Sequence, residues 1–200
     1  RALMGRLLMR GHGVRVLTRP GSQSKVPVGA IPVIGNALDA ASFSDALNSS
    51  DTFVQLTGVA HPAPWKEAQF RAIDQVSLNA SAANATAAKV EHFVYVSVAQ
   101  PAPVMRSYIQ VRQECEATLA ATGLRQTILR PWYILGPGHW WPVALKPIYA
   151  ALEALPSTRE SARRLGLVTL DQMADALLWA VENPPESRRV LDVPAIRNCR

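Results

Sequence analysis

The chain has 200 residues, 48% hydrophobic and 18% charged, with 21 basic residues against 15 acidic ones and a formal net charge of +6. That length suits one ordinary domain and not comfortably two, and the hydrophobic share excludes a disordered chain. A domain of this size buries roughly 70% of the surface its unfolded chain exposes, so it needs no metal or disulfide staple, and two cysteines (Cys115 and Cys199) could form neither a disulfide framework nor a four-cysteine zinc site.

Only four of the basic residues are lysines (Lys25, Lys66, Lys89 and Lys146); the rest are scattered arginines without a run that would make a nucleic-acid-binding arm. Nucleic acid is therefore not expected as a partner. Apolar runs are short and interrupted by charge, which argues against a membrane span and for a cytoplasmic protein. Glycosylation-type triplets at Asn48, Asn79 and Asn84 read as chance matches.

Leu3, Leu7 and Leu8 have helical spacing, and Gly11-His12-Gly13 ends that helix. Short apolar runs at 14–18, 31–34 and 52–56 predict strands. Asp39 is placed to cap a short helix through Leu47. His61-Pro62-Ala63-Pro64 breaks regular structure, and a long alanine-rich helix is predicted over about 66–88. His92–Val98 is a β-branched and aromatic strand that ends on the small polar Ser97 region. A helix follows over about 107–122 with Gly123 at its end, then a strand at 127–131. Residues 132–147 are expected to be irregular. Thr169 and Gln172 have capping-box spacing and open a helix that Pro184-Pro185 ends, and 190–193 is a closing strand.

Strands alternating with helices, each strand a short apolar run, predict an α/β fold with a doubly wound, mostly parallel sheet of Rossmann-type topology. The expected organisation is a core over 1–130, with 131–200 supplying the substrate-side loop, helix and closing strand of the same domain. Ligands of such sheets bind beyond the carboxyl ends of the strands. Those positions hold Thr18 and Arg19, Gly35 and Asn36, Thr57 and Gly58, Ser97, and Pro131, Trp132 and Tyr133.

An arginine after this strand can pair with a 2′-phosphate, or it is a surface arginine in a turn. Tyr108 and Arg112 are one helical turn apart, eleven and fifteen residues beyond Ser97. Together a hydroxyl, a phenol and a cation form a proton-transfer set, in which the cation would favour the ionised phenol. Read separately, Ser97 is a turn residue and Tyr108 and Arg112 an ordinary partly exposed pair. The four histidines lack metal-ligand spacing, Asp171 and Asp175 lack a partnering cluster, and Cys115 suits the core. Trp140-Trp141 would cap a pocket or offer a docking surface.

Leu7–Arg19, His92–Ser97 with Tyr108-Ile109-Gln110-Val111-Arg112, and Thr127–Gly138 together resemble extended and atypical short-chain dehydrogenases/reductases, over nearly the whole chain. Among these, the NmrA-like and complex-I-accessory-subunit-like members are most similar. The resemblance implies an NAD(P)-dependent oxidoreductase or epimerase/dehydratase-like enzyme. Tyr108 would be the acid/base and Ser97 the partner of a substrate oxygen. Arg112 would stand in for the lysine of Tyr-x-x-x-Lys at the nicotinamide ribose. Arg19 would meet the adenosine 2′-phosphate, favouring NADP over NAD. Asn36 would approach the adenine, Thr57 and Gly58 the middle of the cofactor, and Pro131, Trp132 and Tyr133 its nicotinamide end.

Two departures matter. Arginine presents a planar fork and does not relay protons as lysine does. The resemblance also places a first strand and a glycine-rich phosphate turn immediately before Arg1. The expectation is therefore an N-terminally truncated chain, poorly stable alone because a sheet edge lacks its neighbour. The alternative function is a non-catalytic NAD(P)-binding regulator or assembly factor, with a protein partner at Trp140 and Trp141.

Overall fold

The computed structural model describes residues 1–136 and 159–199. In chain order its elements are α1 (Ala2–Met9), β1 (Arg15–Thr18), β2 (Ile31–Ile34), β3 (Thr52–Gln55), α2 (Glu67–Gln69), α3 (Val76–Ala87), β4 (His92–Val96), α4 (Arg106–Ala121), β5 (Arg125–Leu129), β6 (Tyr133–Leu135), α5 (Arg159–Arg164), β7 (Leu167–Thr169), α6 (Leu170–Glu182), β8 (Arg188–Leu191) and α7 (Val193–Asn198). Trp140, Trp141 and His139 lie outside the described residues.

Among the described residues every strand pairing is parallel. The main sheet runs β3-β4-β5-β8, while β1-β2 and β6-β7 are separate two-stranded ladders. Among the described residues, no strand hydrogen-bonds β1 to β3, so the parallel strands are divided between these two. The β6-β7 ladder is a departure from the sequence reading, which takes 132–147 as irregular, whereas Tyr133–Leu135 pairs with Leu167–Thr169. Strands of three residues are too short to show a period of two.

The main sheet is covered on both faces, and alternation along β4 shows how. Phe93 and Tyr95 enter one core with Phe70, Leu78, Val111, Leu119 and Ile128. Val94 enters the other with Leu3, Leu129, Met173, Leu177 and Ile196. Successive strand residues point to opposite faces, so a fully buried central strand reads as an unbroken apolar run. The second core is locked at its rim: Arg6 donates to Asp171 and Asp175, each at 2.8 Å. These aspartates thus tie α6 to α1. At the other end of the seam Glu182 accepts from Arg10 at 2.9 Å.

Local signals are obeyed where nothing competes with them. Thr169 Oγ1 accepts from Gln172 N at 3.1 Å while Thr169 N donates to Gln172 Oε1 at 2.9 Å, completing the capping box of α6. Gly123 takes φ +73° after α4, the left-handed conformation that costs glycine least. Asp39 does cap, accepting from Ala41 N at 3.1 Å. It caps a 3₁₀ turn (Ala40–Ser42) in place of the expected helix, since the buried Phe43 adopts φ −144° and separates it from a second turn, Ser44–Leu47.

The predicted helix over 66–88 contains a π-helical segment, Phe70–Gln75, between α2 and α3. Its wide turn carries both Phe70 and Asp74 into the interior. Such segments are rare and recur at functional sites.

Candidate functional site

Because the strands are parallel, the carboxyl ends of β4 and β5 open on one edge, and α4 starts beside them. Met105 takes φ +61° ahead of α4, turning the chain out of the proline-rich loop. The buried stripe of α4 is Ile109, Val111, Arg112, Cys115, Glu116 and Leu119. Two charged residues on that stripe organise the site.

The first is Arg112, whose side chain is 7% exposed. Its Nη1 donates to the Tyr95 hydroxyl at 2.9 Å and to the Val96 carbonyl at 3.0 Å. Its Nη2 pairs with Asp74 Oδ1, and Asp74 Oδ2 accepts from the Val59 N–H at 3.1 Å. The guanidinium carbon lies 5.1 Å from the Tyr108 ring centre and 5.6 Å from that of Tyr95, within cation–π range of both. Phe70 packs against Tyr108 with ring centres 4.8 Å apart.

A Cβ at Gly58 would collide with Arg112 Nη2 and come within 3.0 Å of Asp74 Oδ1. Glycine is what lets the loop after β3 cross this ion pair.

The electrostatics depart from one expectation. Burial pushes the Tyr108 phenol up; Arg112 pulls it down, but Asp74 adds to the rise, and the net direction is upward. Tyr108 is thus held protonated at neutral pH, whereas the cation alone would have favoured phenolate. Burial raises Tyr95 well above the ordinary phenol range despite Arg112. Burial also opposes the charge of Arg112, but Tyr95, Tyr108 and Asp74 outweigh it.

The second organiser is Glu116, whose side chain is 5% exposed. Its Oε1 accepts from Ser97 Oγ at 2.7 Å, from Gln100 Nε2 at 2.8 Å and from Arg130 Nε at 3.0 Å. Its Oε2 accepts from Arg130 Nη2 and, at 2.9 Å, from Arg188 Nη2. A buried carboxylate needs such donors to offset lost solvation. In consequence the Ser97 proton is directed at Glu116. Tyr108 and Arg112 are therefore brought into direct contact, whereas Ser97 joins them only through its neighbour, the Val96 carbonyl.

The other strand-end residues take varied settings. Arg19 is exposed just past β1. Asn36 is exposed past β2, its Oδ1 accepting from Leu38 N at 3.1 Å. Thr57 is half-buried and Gly58 exposed past β3. Pro131 is buried, and Trp132 and Tyr133 meet edge to face with ring centres 5.5 Å apart. The described residues hold no group of His, Cys, Asp and Glu able to bind a metal ion, and no helix among them is long and apolar enough to cross a membrane.

Residues 1–138 match the family model described as NAD(P)H-binding. The chain belongs to the NAD(P)H-binding family. No curated protein matches its sequence. Among solved structures it is similar to a short-chain dehydrogenase/reductase superfamily protein from Agrobacterium tumefaciens with bound NAD, at TM-score 0.68 and 16% identity, covering 98% of this chain and 77% of that one. It is similar to UDP-glucose 4-epimerase from Thermus thermophilus in complex with NAD, at TM-score 0.66 and 15% identity over 96% and 73% of the two chains. A nucleoside-diphosphate-sugar epimerase from Staphylococcus aureus gives TM-score 0.65 and 15% identity over 96% of this chain and 66% of that one. At these identities the likeness establishes a Rossmann-like fold, and the chain spans about two thirds of the epimerase's length.

Within this NAD(P)H-binding protein, the sequence reading finds Arg112 but misses its counter-ion Asp74 and the second organiser, Glu116. Asp74 stands between Phe70 and Leu78 at four-residue spacing, a carboxylate on an otherwise apolar helix face. Glu116 lies one turn beyond Arg112 on the same stripe. Those two charges at apolar positions were the available signal.

Proposed function

We propose that this protein is an NAD(P)-dependent oxidoreductase or epimerase/dehydratase-like enzyme in which Tyr108 is the proton donor and acceptor. The observation that carries the reading is the seating of Tyr108 on the buried Arg112 at the carboxyl end of β4, within an NAD(P)H-binding chain. Residues fit a dinucleotide as follows. Arg19 offers an exposed guanidinium to a 2′-phosphate, which favours NADP over NAD. Asn36 is exposed where an adenine would approach. Thr57 and Gly58 pass the middle of the cofactor, where the backbone comes close to the Asp74–Arg112 pair. Pro131, Trp132 and Tyr133 flank the nicotinamide end. The dinucleotide, when bound, supplies or accepts the hydride.

The chain's own residues supply the rest. Tyr108, protonated at neutral pH, gives its proton to a developing alkoxide or, in the reverse direction, recovers it from an alcohol. Arg112 holds the phenol in place by stacking. Its Nη1 and Nη2 are committed to Tyr95, Val96 and Asp74, so it acts as a positioning residue. Ser97, donating to Glu116, keeps its lone pairs for a substrate hydroxyl.

The test is NADPH consumption against a panel of carbonyl substrates, with Tyr108→Phe beside the wild type. Equal turnover in the two proteins would remove this mechanism.

One observation favours a second reading. With Arg112 and the Ser97 proton both committed internally, a non-catalytic NAD(P)-binding regulator or assembly factor accounts for the site as well. It predicts dinucleotide binding by titration calorimetry without turnover on any carbonyl substrate.

A further inference from the structure

The π-helical segment Phe70–Gln75 acts on Tyr108 by two routes. Phe70 packs directly on its ring, at 4.8 Å between centres. Asp74 reaches it through Arg112, whose guanidinium carbon stands 5.1 Å from the same ring centre. An isolated guanidinium in that place would favour the phenolate, because a nearby opposite charge stabilises the ionised form. Asp74 is 1% exposed, and its Oδ2 is fixed by the Val59 N–H at 3.1 Å. Its Oδ1 pairs with Nη2 of Arg112 in a space too tight for a Cβ at Gly58. Buried charges are screened little, so the carboxylate offsets the field of the cation at close range.

Among the described residues, the other ionisable groups packed around this part of α4 are neutral, exposed or engaged elsewhere. Burial keeps the Cys115 thiol and the Tyr95 phenol uncharged at neutral pH. Arg106 is exposed. Arg71 of the π-helical segment pairs with Glu114 at 2.9 Å on the outer side of α4. Glu67 of α2 accepts from Ser107 at 2.9 Å, and Lys66 Nζ donates to the Ala60 and His61 carbonyls at 2.9 and 3.0 Å. Asp74 is thus the group placed to counter Arg112.

We propose that Asp74 is a positioning residue for the reacting tyrosine: paired with Nη2 of Arg112, it cancels the guanidinium's charge beside the Tyr108 ring and keeps the phenol protonated. The assignment rests on the role of Tyr108 proposed above and explains how a tyrosine beside a fixed cation serves as an acid. The same turn that packs Phe70 on the ring supplies the counter-charge.

The test reads the phenol itself. Tyrosine labelled with ¹³C at Cζ is incorporated into the full chain, and the Tyr108 resonance is identified by its loss in Tyr108→Phe and followed with rising pH. In the wild type it should remain that of a neutral phenol up to about pH 10. Asp74→Asn and Asp74→Ser, one isosteric and one small, both remove the charge. In either, the midpoint should move down by about one pH unit or more. Turnover gives a second readout. Reduction of a carbonyl substrate by NADPH needs the protonated phenol, so it should be lost above the lowered midpoint in these variants and retained by the wild type at the same pH. A merely structural role of Asp74 would not move that limb. Midpoints that move as expected, in a protein whose Tyr108→Phe variant turns over like the wild type, would support the Asp74 assignment while overturning the proposed function. The assignment is overturned if wild-type Tyr108 titrates below the ordinary phenol range, an outcome that needs no variant to fold. It is overturned equally if a folded Asp74 variant titrates as the wild type does.

Discussion

Arg112 and Tyr108, one turn apart on α4, are in cation–π contact at 5.1 Å, and the contact pins the phenol without ionising it. A guanidinium in this place attracts the phenol's electrons through the ring face while its hydrogen bonds go elsewhere. The consequence is a tyrosine held as an acid.

Tyr108→Phe keeps the ring on Arg112 and Phe70 and removes only the hydroxyl. Turnover should fall about 10²- to 10⁴-fold, the usual contribution of a general acid, with NADPH affinity within a few-fold of wild type. Steady-state kinetics and calorimetry on the same preparations separate the two quantities.

The Asp74–Arg112 pair is buried on both sides, at 0% and 7% side-chain exposure. Asp74→Ala leaves a guanidinium buried without its counter-ion and should cost about 3–5 kcal/mol in urea unfolding. Replacing both partners with Asp74→Leu and Arg112→Met should recover most of that loss while leaving Tyr108 unsupported. A double variant as unstable as Asp74→Ala would show that the cost lies in packing and not in the unpaired charge.

Much of the fold could be read from the chain because its signals are local. The apolar runs at β1, β2, β4 and β5, the Thr169 capping box and the αL glycine after α4 each depend on residues a few positions apart. The centre of the site was legible only as a spacing, Tyr108 and Arg112 at i and i+4. What the spacing could not reveal is where Arg112 points. That depends on Asp74, 38 residues earlier in the chain and turned inward by a π-helical segment no propensity signals. Ser97 was likewise visible as a strand end, but its commitment to Glu116 is a long-range choice enforced by Arg130 and Arg188. Burial likewise reversed the expected direction of the Tyr108 shift, because desolvation depends on the packed core around it.

Glu116→Gln retains the shape but replaces an acceptor oxygen with an amide NH₂ facing arginine donors. It should destabilise the protein by about 1–3 kcal/mol, and less when Arg188 is changed to Gln in the same chain. Chemical denaturation of the two single variants and the double measures the coupling. Strict additivity would mean that the Arg188 contact contributes nothing.

Gly58→Ala places a methyl group against Arg112 Nη2, which is held on the other side by Asp74 and cannot swing away freely. The variant should lose about 1–3 kcal/mol, the usual cost of overpacking. Thermal unfolding at fixed pH is the measurement, and in the Asp74→Leu, Arg112→Met background the penalty should shrink.

His92 gives the protein a pH dependence of predictable sign. It is buried at the start of β4, its Nε2 2.9 Å from Thr127 Oγ1. Burial first, then the nearby charges of Arg125 and Arg189, lowers its pKa from 6.5 to about 4. Between those values the unfolded chain binds a proton that the folded chain refuses, so stability rises with pH across this window. Acidifying from above pH 6.5 to about pH 4 should therefore remove roughly 3 kcal/mol, with no further loss from this group below that. His92→Leu keeps the residue apolar and buried but cannot titrate. Urea unfolding from pH 7 to pH 4 should show a shallower fall for this variant than for wild type, and parallel curves would assign the acid sensitivity to other groups.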